Sequence, residues 1–119
     1  MKKSNVPNQY RFIAYDVSLD AATKVCSLVQ HVPPALKSQQ DQAIRAVARV
    51  PLSVMEGRGR RGRDARNMYR IAYSSAGEVV ACVELLVALN AVDSVQAAEA
   101  LVALDRSRAL VWGLMRAAA

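Results

Sequence analysis

The sequence predicts an all-α fold, an antiparallel up-down-up-down four-helix bundle. Three observations carry this. Apolar residues recur at spacings of three and four in four successive stretches, and no stretch alternates as a strand would. Proline, glycine and asparagine punctuate the chain between those stretches. The connections are short, which sets consecutive helices antiparallel. At 119 residues the chain makes one domain. Residues 1–12 read as a flexible N-terminal segment and residues 13–119 as the bundle.

The first helix is expected over residues 13–31. Val17, Ala21, Val25, Leu28 and Val32 fall on one face, and Pro33-Pro34 stops the helix. The second is expected over 39–56, with Ser38 as cap, Asp41 three residues on, and Ile44, Val47, Val54 and Met55 facing inward. Pro51 lies inside it and predicts a kink near residues 47–51. Gly57 and Gly59 are expected to end it.

The third helix is expected over 64–89, with Asp64 as its cap or first-turn acid. Met68, Ile71, Ala72 and Ser75 face one way, and Arg66 and Arg70 the other. Its second half, VVACVELLVAL, is apolar almost all round, which predicts burial on more than one side and hence contact with another subunit. The fourth is expected over 95–116, with Asp93 and Gln96 as a capping pair. Ala97, Leu101, Leu104, Val111 and Met115 form its stripe, and Trp112 beside them reads as a core or interface anchor.

The core must come mostly from Ala, Val and Leu, because the chain has only one Phe, one Trp and four Tyr. Such faces supply little contact area per residue, which also favours self-association. Cys26 and Cys82 read as reduced core residues. With no Cys-x-x-Cys and a single histidine, His31, neither a metal site nor a cofactor is expected. The start, MKKSNVPNQY, has no apolar run behind its lysines, so no signal peptide is expected. The longest near-apolar run, residues 79–89, falls short of the roughly 20 residues a bilayer needs. A cytoplasmic protein with no membrane partner and no small-molecule substrate is the expectation.

The formal charge is +6 with a pI of about 9.8, which favours anionic partners. Residues 56–70, EGRGRRGRDARNMYR, hold six arginines against two acids, a net of +4. Arg58, Arg60, Arg61, Arg63, Arg66 and Arg70 are therefore the candidate phosphate contacts. Arginine's planar fork meets phosphate oxygens bidentately and keeps its charge. The alternative is a solvated loop with ion pairs at a helix junction. Arg60 is expected to be structural, bonded to helix carbonyls or to Glu56, whose charge is badly placed at a helix end. Tyr69 and Tyr73 read as packed rather than base-stacking, so any binding would follow charge and shape. Glu78 and Glu84 are expected to need arginine partners such as Arg45 or Arg49. No nucleophile, base and orienting group fall at a recognisable spacing, so no enzyme is expected.

From Val50 on, VPLSVMEGRGRRGRDARNMYRIAYSSAGEVVACVELL resembles a bacterial four-helix-bundle family. It comprises proteins encoded in intervening sequences of 23S ribosomal RNA genes, also called the S23 ribosomal protein family. The accessory variability protein of diversity-generating retroelements is a relative. Pro51 matches the family's proline; Glu56, Gly57, Gly59 and Arg60 match Glu-Gly-x-Gly-Arg; Ile71 and Ala72 match Ile-Ala; Ser75 and Glu78 match Ser-x-x-Glu. Gly62 to Asp64 replace the family's loop serine, Asn67 to Tyr69 stand at its Arg-Phe-Leu, and Tyr15 stands at its first-helix tryptophan. The resemblance implies a ring-like homopentamer without a catalytic residue set. In the retroelement relative a basic pentamer binds nucleic acid and a reverse transcriptase. RNA or DNA, or alternatively a protein such as a reverse transcriptase, is thus the expected partner.

Overall fold

A computed structural model describes residues 12–118. The segment expected to be flexible lies outside the described residues except for Phe12, which packs against the core. Four helices follow in order: α1 (Ile13–Val29), α2 (Lys37–Arg58), α3 (Gly62–Ala88) and α4 (Ser94–Ala117), with a 3-10 turn at Pro34–Leu36 ahead of α2. Among the described residues there is no strand. Each helix packs on two neighbours, α1 on α2 and α4, and α3 on α2 and α4. This is the four-cornered bundle that the periodicity predicts.

The core has two halves. One joins Val25, Leu28 and Val29 of α1 with Val47, Val83, Leu86 and Leu104. The other joins Ala14, Val50, Val54, Tyr69, Ala72 and Val111. Between them lies a buried polar contact: Ser18 Oγ donates to Ala14 O at 2.7 Å and sits 2.8 Å from Ser107 Oγ. Because the Ser18 proton is spent on that carbonyl, Ser107 is the donor in the second bond.

The helix ends are made differently from the expectation in several places. No side chain caps α2, which starts at Lys37 after Leu36. Ser38 lies within the first turn, and Asp41 pairs with Lys37 at 3.5 Å instead. Gln40 Nε2 reaches back to the carbonyls of Val29 and Gln30 at 2.8 and 3.3 Å, satisfying the end of α1. α2 runs through the buried Pro51 without interruption. Asp64 lies in the first turn of α3, the second of its two expected places, and the cap is Arg61. The Asp93 cap holds, its Oδ2 accepting from Gln96 N at 2.8 Å. α3 closes with Asn90 in the left-handed region (φ 55°). Ala91 N then bonds Leu86 O at 2.9 Å and Asn90 N bonds Val87 O at 3.0 Å, a paired helix-ending motif.

The inner faces also differ in detail. Ala43, Ala46, Val47, Val50 and Val54 form the buried side of α2, whereas Ile44 and Met55 are exposed. Ala72 and Ser75 are buried on α3, but Ile71 is 41% exposed. Trp112 is 48% exposed and not a core anchor. Cys82 is buried as expected, but Cys26 is exposed. Burial first, and then the nearby Glu78 carboxylate, push the Cys82 thiol above the ordinary range. Glu84 is exposed and needs no buried partner. Glu78 accepts from Gln42 Nε2 at 3.4 Å rather than from an arginine. By length and composition alone α3 is long and apolar enough to span a bilayer; in the bundle it lies between α2 and α4.

Candidate nucleic-acid interface

The arginine run occupies one end of the bundle, where α2 turns into α3 beside the start of α1 and the end of α4. The turn is only three residues, Gly59 to Arg61. Gly59 N bonds Glu56 O at 3.2 Å and Arg60 N bonds Gly57 O at 3.1 Å, closing α2. Gly62 then starts α3 with φ 55°, a conformation that costs most other residues steric strain.

The two glycines of α2's end have different roles. Gly59, the cap, has φ −82° and open space around it beyond Glu56 O at 3.6 Å. Gly57 is inside the helix and buried, and the Tyr69 ring of α3 occupies the space where a Cβ would stand. Close helix approach, not helix termination, is what requires Gly57.

The six arginines divide into two sets. Arg60 Nη2 donates to Glu56 Oε2 at 2.9 Å, the expected pair, one turn apart on the surface. Arg58 lays its guanidinium 4.6 Å from the centroid of the Phe12 ring. Arg66 Nη2 donates to Ala118 O at 2.7 Å, placing a cation on the carbonyl end of α4, where the helix dipole favours it. Arg61, Arg63 and Arg70 are exposed and make no hydrogen bond, ion pair or ring contact with another described residue. A shallow depression of about 390 Å³ lies beside Arg60 and Arg61, lined also by Gly62, Tyr69, Leu114 and Ala118. No side chain caps the start of α3 there, so its first amides face the same solvent as Arg61 and Arg63.

The sequence has no local sign of the Phe12 and Ala118 contacts, because each partner comes from a different helix end. The Tyr69 hydroxyl is held above its ordinary range by burial, an effect Arg58 partly opposes. Among the described residues no group of three or more His, Cys, Asp or Glu side chains gathers. The geometry offers fixed positive charge and free amides, which suit an anion's oxygens.

The sequence profile of the 23S rRNA-intervening sequence protein family matches residues 11–113. The chain belongs to this family. A solved structure from the S23 ribosomal protein family of Bacteroides thetaiotaomicron, a protein with unknown function, shares the fold with a TM-score of 0.75. It is 19% identical and covers 86% of this chain and 97% of its own. No curated protein matches.

In this family member the motif residues hold the α2–α3 junction. Pro51, Gly57 and Ala72 are buried where α2 and α3 meet, and Glu56 and Arg60 clasp the turn between the two helices. Glu78 ties α3 back to α2 through Gln42. Ile71 and Gly59 are exposed, as are Glu56 and Arg60.

Proposed function

We propose that this family member is a non-enzymatic homo-oligomer, a ring-like pentamer, that binds RNA or DNA with little sequence specificity. The observation that carries this reading is the division of the arginines. Three are tied to Phe12, Glu56 and Ala118, and these brace the end of the bundle. Arg61, Arg63 and Arg70 have no such partner among the described residues and stand exposed, Arg61 and Arg63 beside an uncapped helix start. Unpaired guanidiniums and backbone amides are what phosphate oxygens bind. One copy presents a weak site; copies around a ring would add through multivalency.

Self-association would cover apolar side chains: Leu85 on α3, Leu89 just after it, and Val95 and Val102 on α4 are exposed. The test is anisotropy titration of labelled single-stranded and duplex oligonucleotides across salt, with light scattering for subunit count. Binding that weakens steeply with salt is the expected result. No binding at low salt would sink the proposal, and a partner protein captured equally after nuclease treatment would replace it with an adaptor role.

A further inference from the structure

Trp112 is the chain's one tryptophan, and it stands at the surface, 48% exposed. Its ring centroid is 5.5 Å from that of Tyr73 on α3, with the planes tilted by 46°. One turn before Trp112 on α4, Arg108 lays its guanidinium 4.5 Å from the Tyr73 centroid. Gly77, one turn beyond Tyr73, lies beside that side chain; a Cβ there would make an ordinary contact, 3.5 Å from Arg108 Nη2. The Arg108 Nε is buried with no hydrogen-bond partner, so ring contact rather than an acid holds this side chain. Tyr73, Asp105, Arg108, Ala109 and Trp112 line an open cleft of about 310 Å³.

The cleft continues the arginine face of α3. Arg66, Arg70, Tyr73 and Gly77 recur at intervals of four, three and four, which is one helix face. Both ends of that face meet α4, Arg66 at Ala118 and Tyr73 at Trp112. At about 1.5 Å per residue, Tyr73 lies roughly 4.5 Å along the axis from Arg70 and roughly 10 Å from Arg66. Stacked nucleotides advance about 3.4 Å each, so this face spans about three of them.

We infer that Trp112, propped by Tyr73, forms a stacking shelf for a nucleobase, and that the ligand is therefore single-stranded nucleic acid. The inference rests on the phosphate role given above to the neighbouring arginines. The chemistry of the cleft selects a base over a bare anion. An exposed indole offers a π-face, and every base has one. The Asp105 carboxylate repels phosphate yet accepts the amino hydrogens of a base edge. A base inside a duplex is already stacked and paired, and cannot reach a ring on a helix surface. Shelf contact of this kind is tolerant of sequence, in keeping with the absence of a base-reading motif.

The single tryptophan makes the test direct. Short oligo(dA), its duplex with oligo(dT), and heparin as a base-free polyanion are each titrated while Trp112 emission is followed. The expected result is quenching by oligo(dA) alone. Trp112→Leu should weaken oligo(dA) binding by about five-fold or more and leave heparin binding unchanged. Tyr73→Leu, which keeps the reporter, should reduce the quench; circular dichroism checks that both variants fold. Oligo(dA) binding with no quench and full affinity in Trp112→Leu overturns the shelf while the arginine role stands. Equal quenching by heparin, or shielding of Trp112 from acrylamide in the free protein, also overturns it. Failure of all three polyanions to bind removes the arginine role and the shelf together.

Discussion

The ring of Tyr69 lies against the backbone of Gly57, filling the volume that any side chain at Gly57 would need. This contact sets how closely α2 and α3 approach at the end of the bundle that carries the arginines. Alanine inside a helix is ordinarily worth about 0.5–1 kcal/mol over glycine. Here that gain is opposed by forced repacking of a buried ring, which costs about 1–3 kcal/mol. Gly57→Ala should therefore destabilise the protein in urea denaturation. Adding Tyr69→Leu should recover part of the loss in a double-mutant cycle, because the two sites touch. Strictly additive effects would refute the contact as the cause.

Tyr69 also sets a pH dependence. Burial raises its phenol above the usual value of about 10, and the charge on Arg58 only partly opposes this. A raised pKa means that the folded state favours the protonated form. The stabilisation is thus fully present below about pH 10 and is lost as pH rises through the folded value. Thermal midpoints should fall above pH 10, and Tyr69→Phe should fall less steeply over the same range. Parallel curves for the two proteins would assign the alkaline loss elsewhere.

The two buried serines should respond unequally to alanine. Ser18 donates to Ala14 O, so Ser107 donates to Ser18. Ser107→Ala leaves Ser18 with its carbonyl partner, and should cost less than about 1 kcal/mol. Ser18→Ala removes the acceptor of a buried hydroxyl, and should cost about 1–3 kcal/mol. The double variant should cost less than the sum, since no orphaned hydroxyl remains. Chemical denaturation of the three variants measures this ordering, and equal single costs would contradict the donor assignment.

These contacts show where sequence reasoning reaches and where it stops. The faces of α1 and α4 were legible because Val25, Leu28 and Leu104 are both large and buried. On α2, Val47 and Val54 are buried as expected, but Ala43 and Ala46 take the inner positions expected of Ile44 and Met55, which are exposed. Residue size is a poor guide to burial where small side chains make the core. The arginine run was visible as composition, and the Glu56–Arg60 pair as an i, i+4 spacing. The Arg66–Ala118 bond joins residues 52 apart, and no local pattern marks it. Trp112, expected as a core or interface anchor, is not in the core: it stands at the rim against Tyr73, and that is a tertiary fact.

The division of the arginines gives the sharpest prediction. Arg58, Arg60 and Arg66 each hold a partner within the bundle, so replacing them should lower stability as well as charge. The individual pairs are on the surface, and each should cost no more than about 1 kcal/mol. Arg61, Arg63 and Arg70 have no such partner among the described residues, and their replacement should leave the melting curve nearly unchanged. Two triple variants to glutamine each remove three charges, one from the free set and one from the held set. The Arg61, Arg63 and Arg70 variant should lose most of the oligonucleotide affinity. Its log–log salt slope should become shallower by about 2–3, since each phosphate contact contributes about 0.7–0.9. The Arg58, Arg60 and Arg66 variant should melt earlier yet keep a larger share of the slope. Equal loss of slope in both would mean that only net charge matters, and that the free arginines have no privileged place.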